Sequence, residues 1–289
     1  EIVDSLVGSE MCIRDRETSY TTSFASVENI RSMDKDGVSP HLEKVDDKTL
    51  RLFYSSIEVK GIAVSLCDYE LKCEIQGALE RMSDLTIIET LDGVRRGYYV
   101  ALNPQTKQKD IFTAVFSEDG LSYSNETPLG FPVDQNEIAW GVPDAVLMPD
   151  GLVRVYWVYT EDKTSDEKLV SATSKTTKGV EFVMDPGYRL ENGYVDFEVI
   201  RAVEGDWKAL MSYTPHYMPE IPQSLFYATS KDGLNWDLIE ERITPKGYSY
   251  FDPTAIQIDD KNFLVVGSAA PNTLGAREHI LFAAELVLP

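Results

Sequence analysis

SKDGLNW, residues 230–236, decides the architecture, because degraded copies of it recur along the chain. SEDGLSY (117–123), SKTTKGVEF (174–182) and SLCDYEL (65–71) repeat it, each closing a tyrosine- and valine-rich hairpin. Self-similarity at a long period is the mark of a radially repeated fold. Working outward, each copy follows a second phrase: Pro or Asp opens an apolar run, an acidic turn follows, and an aromatic-rich strand comes next. These phrases are SPHLEKVDDKTLRLFYSS (39–56), DLTIIETLDGVRRGYYVA (84–101), PDAVLMPDGLVRVYWVYT (143–160), DFEVIRAVEGDWKALMSYT (196–214) and DPTAIQIDDKNFLVVGSA (252–269). Their starts lie roughly 45 to 60 residues apart, the length of one four-stranded propeller blade.

Within a phrase, apolar positions alternate, as at Leu50, Leu52 and Tyr54 or Val153, Val155 and Trp157, and Asp-Asp or Asp-Gly pairs mark the reversals. The SKDGLNW-type phrase falls between the third and fourth strands. There Gly120 and Gly233 accept positive φ and the Asp side chain bonds the turn's own amides. Trp236, Tyr123 and Phe182 are expected to pack between blades. The fifth blade ends at HILFAAELVLP (279–289), three strands in, so the segment around Tyr20 to Ile30 is expected to supply its outer strand and close the ring. The expectation is an all-β, five-bladed propeller of four antiparallel strands per blade, a single domain over residues 17–289. A solenoid or sandwich is the alternative.

A chain of 289 residues with 43% apolar and 10% aromatic content can bury such a core. A formal charge of −21 argues against a nucleic-acid partner, because nothing here neutralises phosphates along a strand. No apolar run is long enough to span a membrane. EIVDSLVGSEMCIRDR (1–16) departs from the blade pattern and resembles adapter read-through at the ends of assembled metagenomic reading frames, so it is set aside as a non-native leader. A short native helix is the other reading. Cys67 and Cys73 flank a predicted hairpin turn. They either pair, which suits an exported, secreted or periplasmic protein, or remain two buried thiols.

In a propeller the inner strands start near the axis at one mouth, so polar residues at those starts converge. Here they are Ser39 to His41, Asp84, Asp144, Asp196 with Glu198, and Asp252. A funnel ringed by carboxylates suits glycoside hydrolysis, which needs one carboxyl protonated and another ionised. Their separation decides the chemistry: about 6.5–9.5 Å admits an inverting water and about 5–5.5 Å a covalent intermediate. An Asp at a strand start also serves simply to cap amides. HExxH, CxxC, Gly-rich phosphate and G-x-S-x-G motifs are absent, and with three histidines a zinc site is not expected.

The inner-strand phrase and the S-x-D-G-L-x-W hairpin resemble those of five-bladed glycosidase propellers, the arabinanase and β-xylosidase type of glycoside hydrolase family 43 and its fructosidase relatives. The resemblance spans nearly the whole chain from about residue 20. It implies a general base on blade one in an Asp-Pro context, a pKa-tuning Asp on blade three and an acid Glu on blade four. No cofactor is implied beyond an axial calcium, which some members carry. Blade three offers Asp144, one residue after Pro143 rather than before a Pro, and blade four offers Glu198 without the usual Gly-Pro. Blade one has Ser39 where the Asp belongs. Asp36, three residues upstream, reaches the axis only if its loop bends, and Asp252 keeps an Asp-Pro signature on blade five.

The resemblance also makes a carbohydrate the expected ligand. Tyr213, His216 and Tyr217 on the loop 212–223, with Trp140, are candidate sugar platforms; His41 is a candidate substrate-binding residue that also reads as a metal ligand, an acid or a hydrogen-bonded structural histidine, and Arg201 and Arg277 are candidates for a carboxylated sugar. The leading expectation is hydrolysis of plant or algal glycans with Glu198 as acid and Asp144 as pKa tuner or base. A glycan-binding propeller that has lost turnover is the second reading and a sialidase the third.

Overall fold

A computed structural model of the chain describes residues 20–21, 25–133, 141–160, 166–213, 222–271 and 278–288; the leader 1–16 lies outside them. Two strands, β1 (Tyr20–Thr21) and β2 (Ser26–Asp36), precede blade one, which comprises β3 (Val38–Lys44), β4 (Leu50–Ser56), β5 (Gly61–Cys67) and β6 (Cys73–Leu79). Blade two comprises β7 (Ser83–Glu89), β8 (Arg95–Leu102), β9 (Lys109–Phe116) and β10 (Tyr123–Pro132). Blade three comprises β11 (Asp144–Leu147), β12 (Val153–Tyr159), β13 (Lys168–Ser174) and β14 (Phe182–Met184). Blade four comprises β15 (Tyr194–Val203), β16 (Asp206–Tyr213), β17 (Ser224–Ser230) and β18 (Trp236–Ile239). Blade five takes β19 (Tyr248–Gln257), β20 (Asn262–Pro271) and β21 (Ile280–Val287), and β2 adds to β21 as its fourth strand, so the N-terminal segment closes the ring. No helix among the described residues is long and apolar enough to cross a membrane.

The core is distributed between the blades. Among the described residues, apolar side chains form five clusters, each centred on one pair of neighbouring blades. Between blades four and five, Val27 and Ile30 of the closing strand, with Ala25 just before it, join Leu210, Leu225 and Tyr250. Between blades three and four, Tyr156 and Leu169 meet Phe197 and Met211. Each blade is therefore buried on both faces, which is why its second and third strands read as nearly continuous apolar runs.

The repeated turn staples one blade to the next. In SKDGLNW, Asp232 Oδ1 accepts the amides of Leu234 (2.8 Å) and Asn235 (2.9 Å), and Gly233 has φ 69°. From blade three, Tyr156 donates its hydroxyl to Gly233 O (2.7 Å) and Arg154 Nη1 donates to Asp232 O (2.8 Å). A Cβ on Gly233 would lie 2.7 Å from the Trp207 ring, so glycine serves both backbone and packing there. Tyr98 of blade two repeats the contact on Gly179 O (2.8 Å). Trp236 and Phe182 sit against Tyr156 and Tyr98 across blade boundaries; Tyr123 stacks on Phe116 of its own blade and joins the cluster between blades one and two. In blade one's copy Leu71, not glycine, takes positive φ (60°), and a Cys67–Cys73 disulfide clamps the turn.

Candidate active site

Every inner strand bulges at its mouth end. In β3, Val38 pairs with Ser55 but His41 pairs with Phe53, a slip of one residue. The same slip separates Ser83 from Thr86, Val195 from Glu198, and Phe251 from Thr254. In blade three it lies between Gly141, whose carbonyl accepts from Val158 N (2.7 Å), and Asp144, which pairs with Tyr156. The first bulge residue has positive φ in all five: Ser39 (50°), Asp84 (51°), Val142 (40°), Asp196 (51°) and Asp252 (46°). None is glycine, so each position stores roughly 1–3 kcal/mol of backbone strain. Bulges of this kind re-aim side chains beside functional sites.

The bulges define two rings around the axis. Ser39, Asp84, Val142, Asp196 and Asp252 form the mouth ring, and His41, Thr86, Asp144, Glu198 and Thr254, two residues on, form a deeper one. This corrects the register expected from sequence: Val142, not Asp144, is the counterpart of the strand-start aspartates, and Asp144 shares a level with Glu198.

Amides freed by one blade's bulge are taken by side chains of the blade before it. Ile87 N donates to His41 Nε2 (3.1 Å), Val199 N to Asp144 Oδ2 (2.8 Å), Ala255 N to Glu198 Oε1 (3.4 Å) and Leu42 N to Thr254 Oγ1 (3.2 Å). Thr254 Oγ1 in turn donates to Glu198 Oε1 (2.9 Å). In the mouth ring, Ser39 N donates to Asp252 Oδ2 (2.9 Å) and Asp252 N to Asp196 Oδ2 (3.4 Å). A buried amide without a partner costs about 1–3 kcal/mol, so amide capping is the shared structural duty of both rings.

Two members carry more than that duty. Asp144 and Glu198 hydrogen-bond each other, a contact that requires a proton between them. Burial raises Asp144 to about 7, opposed by the Val199 amide. Burial first, then the Asp144 charge, pushes Glu198 well above the carboxylate range, so Glu198 holds the proton. In the mouth ring, burial and then the charges of Asp196 and Asp84 push Asp252 well up, making it the protonated member. Asp144, Asp196 and Asp252 are only 5%, 8% and 9% exposed, whereas Asp84 and Glu198 are half-buried; all but Asp144 line the axial cavity.

His41 also lines that cavity. Burial lowers it to about 4, so it is a neutral acceptor whose Nδ1 carries the proton. Asp36 is exposed on the outer strand of blade five, away from both rings, because β2 is engaged in closing the ring. Arg201 pairs with Asp206 (2.8 Å) across the β15–β16 hairpin at the far end of the strand from the mouth. Tyr213 stacks on Tyr194 (centroids 4.6 Å apart) at the mouth edge of blade four. Trp140, His216, Tyr217 and Arg277 lie outside the described residues. Among those described, no group of three or more His, Cys, Asp or Glu side chains is placed to hold a metal ion. The sequence places Asp84 among the converging strand-start carboxylates but outside the candidate catalytic set; its Ser-Asp context gives no signal of a role, and its hydroxyl partners show only in the structure.

No family model and no curated protein matches the chain. Solved structures do. A thermostable family-43 glycoside hydrolase superposes with a TM-score of 0.67 at 13% identity, over 88% of this chain and 90% of that one. The chain has the fold of the five-bladed glycoside hydrolase propellers. An endo-arabinase from Bacteroides thetaiotaomicron gives a TM-score of 0.62 at 12% identity, over 86% and 94% of the two chains. An N-acetylgalactosamine deacetylase from F. plautii, in complex with blood group B trisaccharide, gives 0.62 at 11% identity over 95% and 94%. At such identities the likeness is one of fold, and this propeller fold carries more than one reaction.

Proposed function

We propose that the chain hydrolyses glycosidic bonds in plant or algal oligo- or polysaccharides at its axial funnel, with Glu198 as general acid and Asp144 as the group that keeps it protonated. The observation that carries this reading is the Asp144–Glu198 contact: a half-buried carboxyl lining the cavity, kept neutral by burial and by a second carboxyl behind it. Direct contact is closer than either hydrolytic geometry needs between acid and base, so Asp144 tunes and does not activate water. The glycoside hydrolase folds above support a carbohydrate as substrate. The Cys67–Cys73 disulfide supports an exported protein, secreted or periplasmic.

Glu198→Gln is expected to lower kcat by about 100- to 10,000-fold while oligosaccharide binding survives. The check is a product assay on arabino-, xylo- and galacto-oligosaccharides beside calorimetric titration; near-wild-type turnover in the variant removes Glu198 from the mechanism. Ser39 at the blade-one bulge favours a second reading, glycan binding without turnover, which predicts titration heats and no product from the wild-type chain.

A further inference from the structure

We propose that Asp84 is the general base that activates the attacking water, an assignment that rests on the hydrolytic reading above. Three observations lead to it. First, four of the five axial carboxyls, Asp84, Asp196, Glu198 and Asp252, line the cavity and Asp144 does not; of the four, Asp84 and Glu198 are half-buried, whereas Asp196 and Asp252 are buried. Second, Asp84 is released from the amide-capping duty that occupies the others. Among the described residues its carboxylate accepts only hydroxyls, from Ser39 Oγ (2.6 Å) on Oδ1 and from Ser83 Oγ (2.9 Å) on Oδ2. Third, ring geometry places it correctly. Blades three and five flank the acid's blade, so only blades one and two lie across the axis from Glu198, at equivalent positions by symmetry. Blade one presents Ser39, which has no base to offer and instead orients Asp84. The cavity that Asp84 and Glu198 share with Asp196 and Asp252 is about 30 Å³, enough to hold a water.

The step balances as single displacement. The Glu198 carboxyl proton passes to the glycosidic oxygen as its bond to the anomeric carbon breaks. Water oxygen bonds to that carbon from the opposite face, and its proton passes to Asp84. The product has inverted configuration, and solvent exchange restores both carboxyls. The charged and titratable groups facing Asp84 are Asp196 and Asp252, whose charge is coupled to its own, and Lys109.

The test is kinetic. Asp84→Asn keeps the side chain's shape and is expected to lower kcat about 100- to 10,000-fold with a native melting profile, to lose the acidic limb of the pH–rate profile, and to recover rate with azide, yielding a glycosyl azide of inverted configuration. Glu198→Gln is expected to lose the alkaline limb and to gain nothing from azide. A purely structural role for Asp84 moves neither the limb nor the azide response. If the wild type turns over and Glu198→Gln does not, but Asp84→Asn keeps its rate and acidic limb, the Asp84 assignment alone falls. Retention of configuration by the wild type also overturns it. A wild-type chain that cleaves none of the oligosaccharides overturns the hydrolytic reading and this assignment together.

Discussion

At the residue scale, the protonation of Glu198 depends on Asp144, a neighbour outside the lining of the axial cavity. Removing the Asp144 charge takes away the strongest influence after burial that raises Glu198. Asp144→Asn is therefore expected to move the alkaline limb of kcat/KM to lower pH, read from the pH–rate profile; an unmoved limb, or one moved upward, contradicts the tuning role. The chemistry of these residues was legible as Asp and Glu at strand starts, but their levels were not. Val142-Pro143 stands where Asp-Pro was expected, and a bulge that carries no glycine leaves no mark in the sequence, so Asp144 was placed one ring too near the mouth. Asp84 was legible as a strand-start carboxylate of the mouth; what the sequence does not show is which hydrogen bonds it is spared.

At the element scale, the third-to-fourth-strand turns act as staples, and their strength is distributed unevenly. Gly233→Ala places a Cβ in a positive-φ turn against Trp207 and Arg154, and is expected to destabilise the fold by about 1–3 kcal/mol in urea titration. Tyr156→Phe removes one hydroxyl bond to the same turn, for about 1 kcal/mol. Equal stability of wild type and Gly233→Ala counts against the staple. In blade one the left-handed position belongs to Leu71, and the disulfide six residues long across that turn takes over the clamping, worth about 2 kcal/mol by loop closure. These turns were the most legible feature of the chain, because glycine, aspartate and alternation mark them chemically. The bulges at the opposite ends of the inner strands lack such marks, being built from Ser, Asp and Val.

At the scale of the whole molecule, five blades bring carboxyls from distant parts of the chain to one axis, and stability depends on their protonation. Asp84, Asp144, Asp196, Glu198 and Asp252 all have raised pKa values in the fold. The folded chain thus binds more protons than the unfolded one above the ordinary carboxylate range near pH 4, and stability falls as pH rises from there through about 7. His41, lowered to about 4, and His279, also lowered by burial, work the other way below 6.5, as two groups against the five axial carboxyls. The melting temperature is expected to be higher at pH 5 than at pH 8; a rise over that interval contradicts the buried-carboxyl account. Ring closure was legible because the fifth blade ended a strand short. Val27 and Ile30 of the closing strand, with Ala25 just before it, are buried in the cluster between blades four and five, so a chain beginning after Asp36 is expected to aggregate.

The most direct test of the central claim is a crystal structure of the Glu198→Gln variant holding a hexasaccharide that the wild type cleaves. The account predicts a glycosidic oxygen within about 3 Å of the residue 198 amide, a reach typical of proton transfer, with a water on the Asp84 carboxylate beneath the opposite face of the sugar. A sugar seated away from the axis, or a scissile bond facing Asp252 with Asp84 walled off, contradicts it.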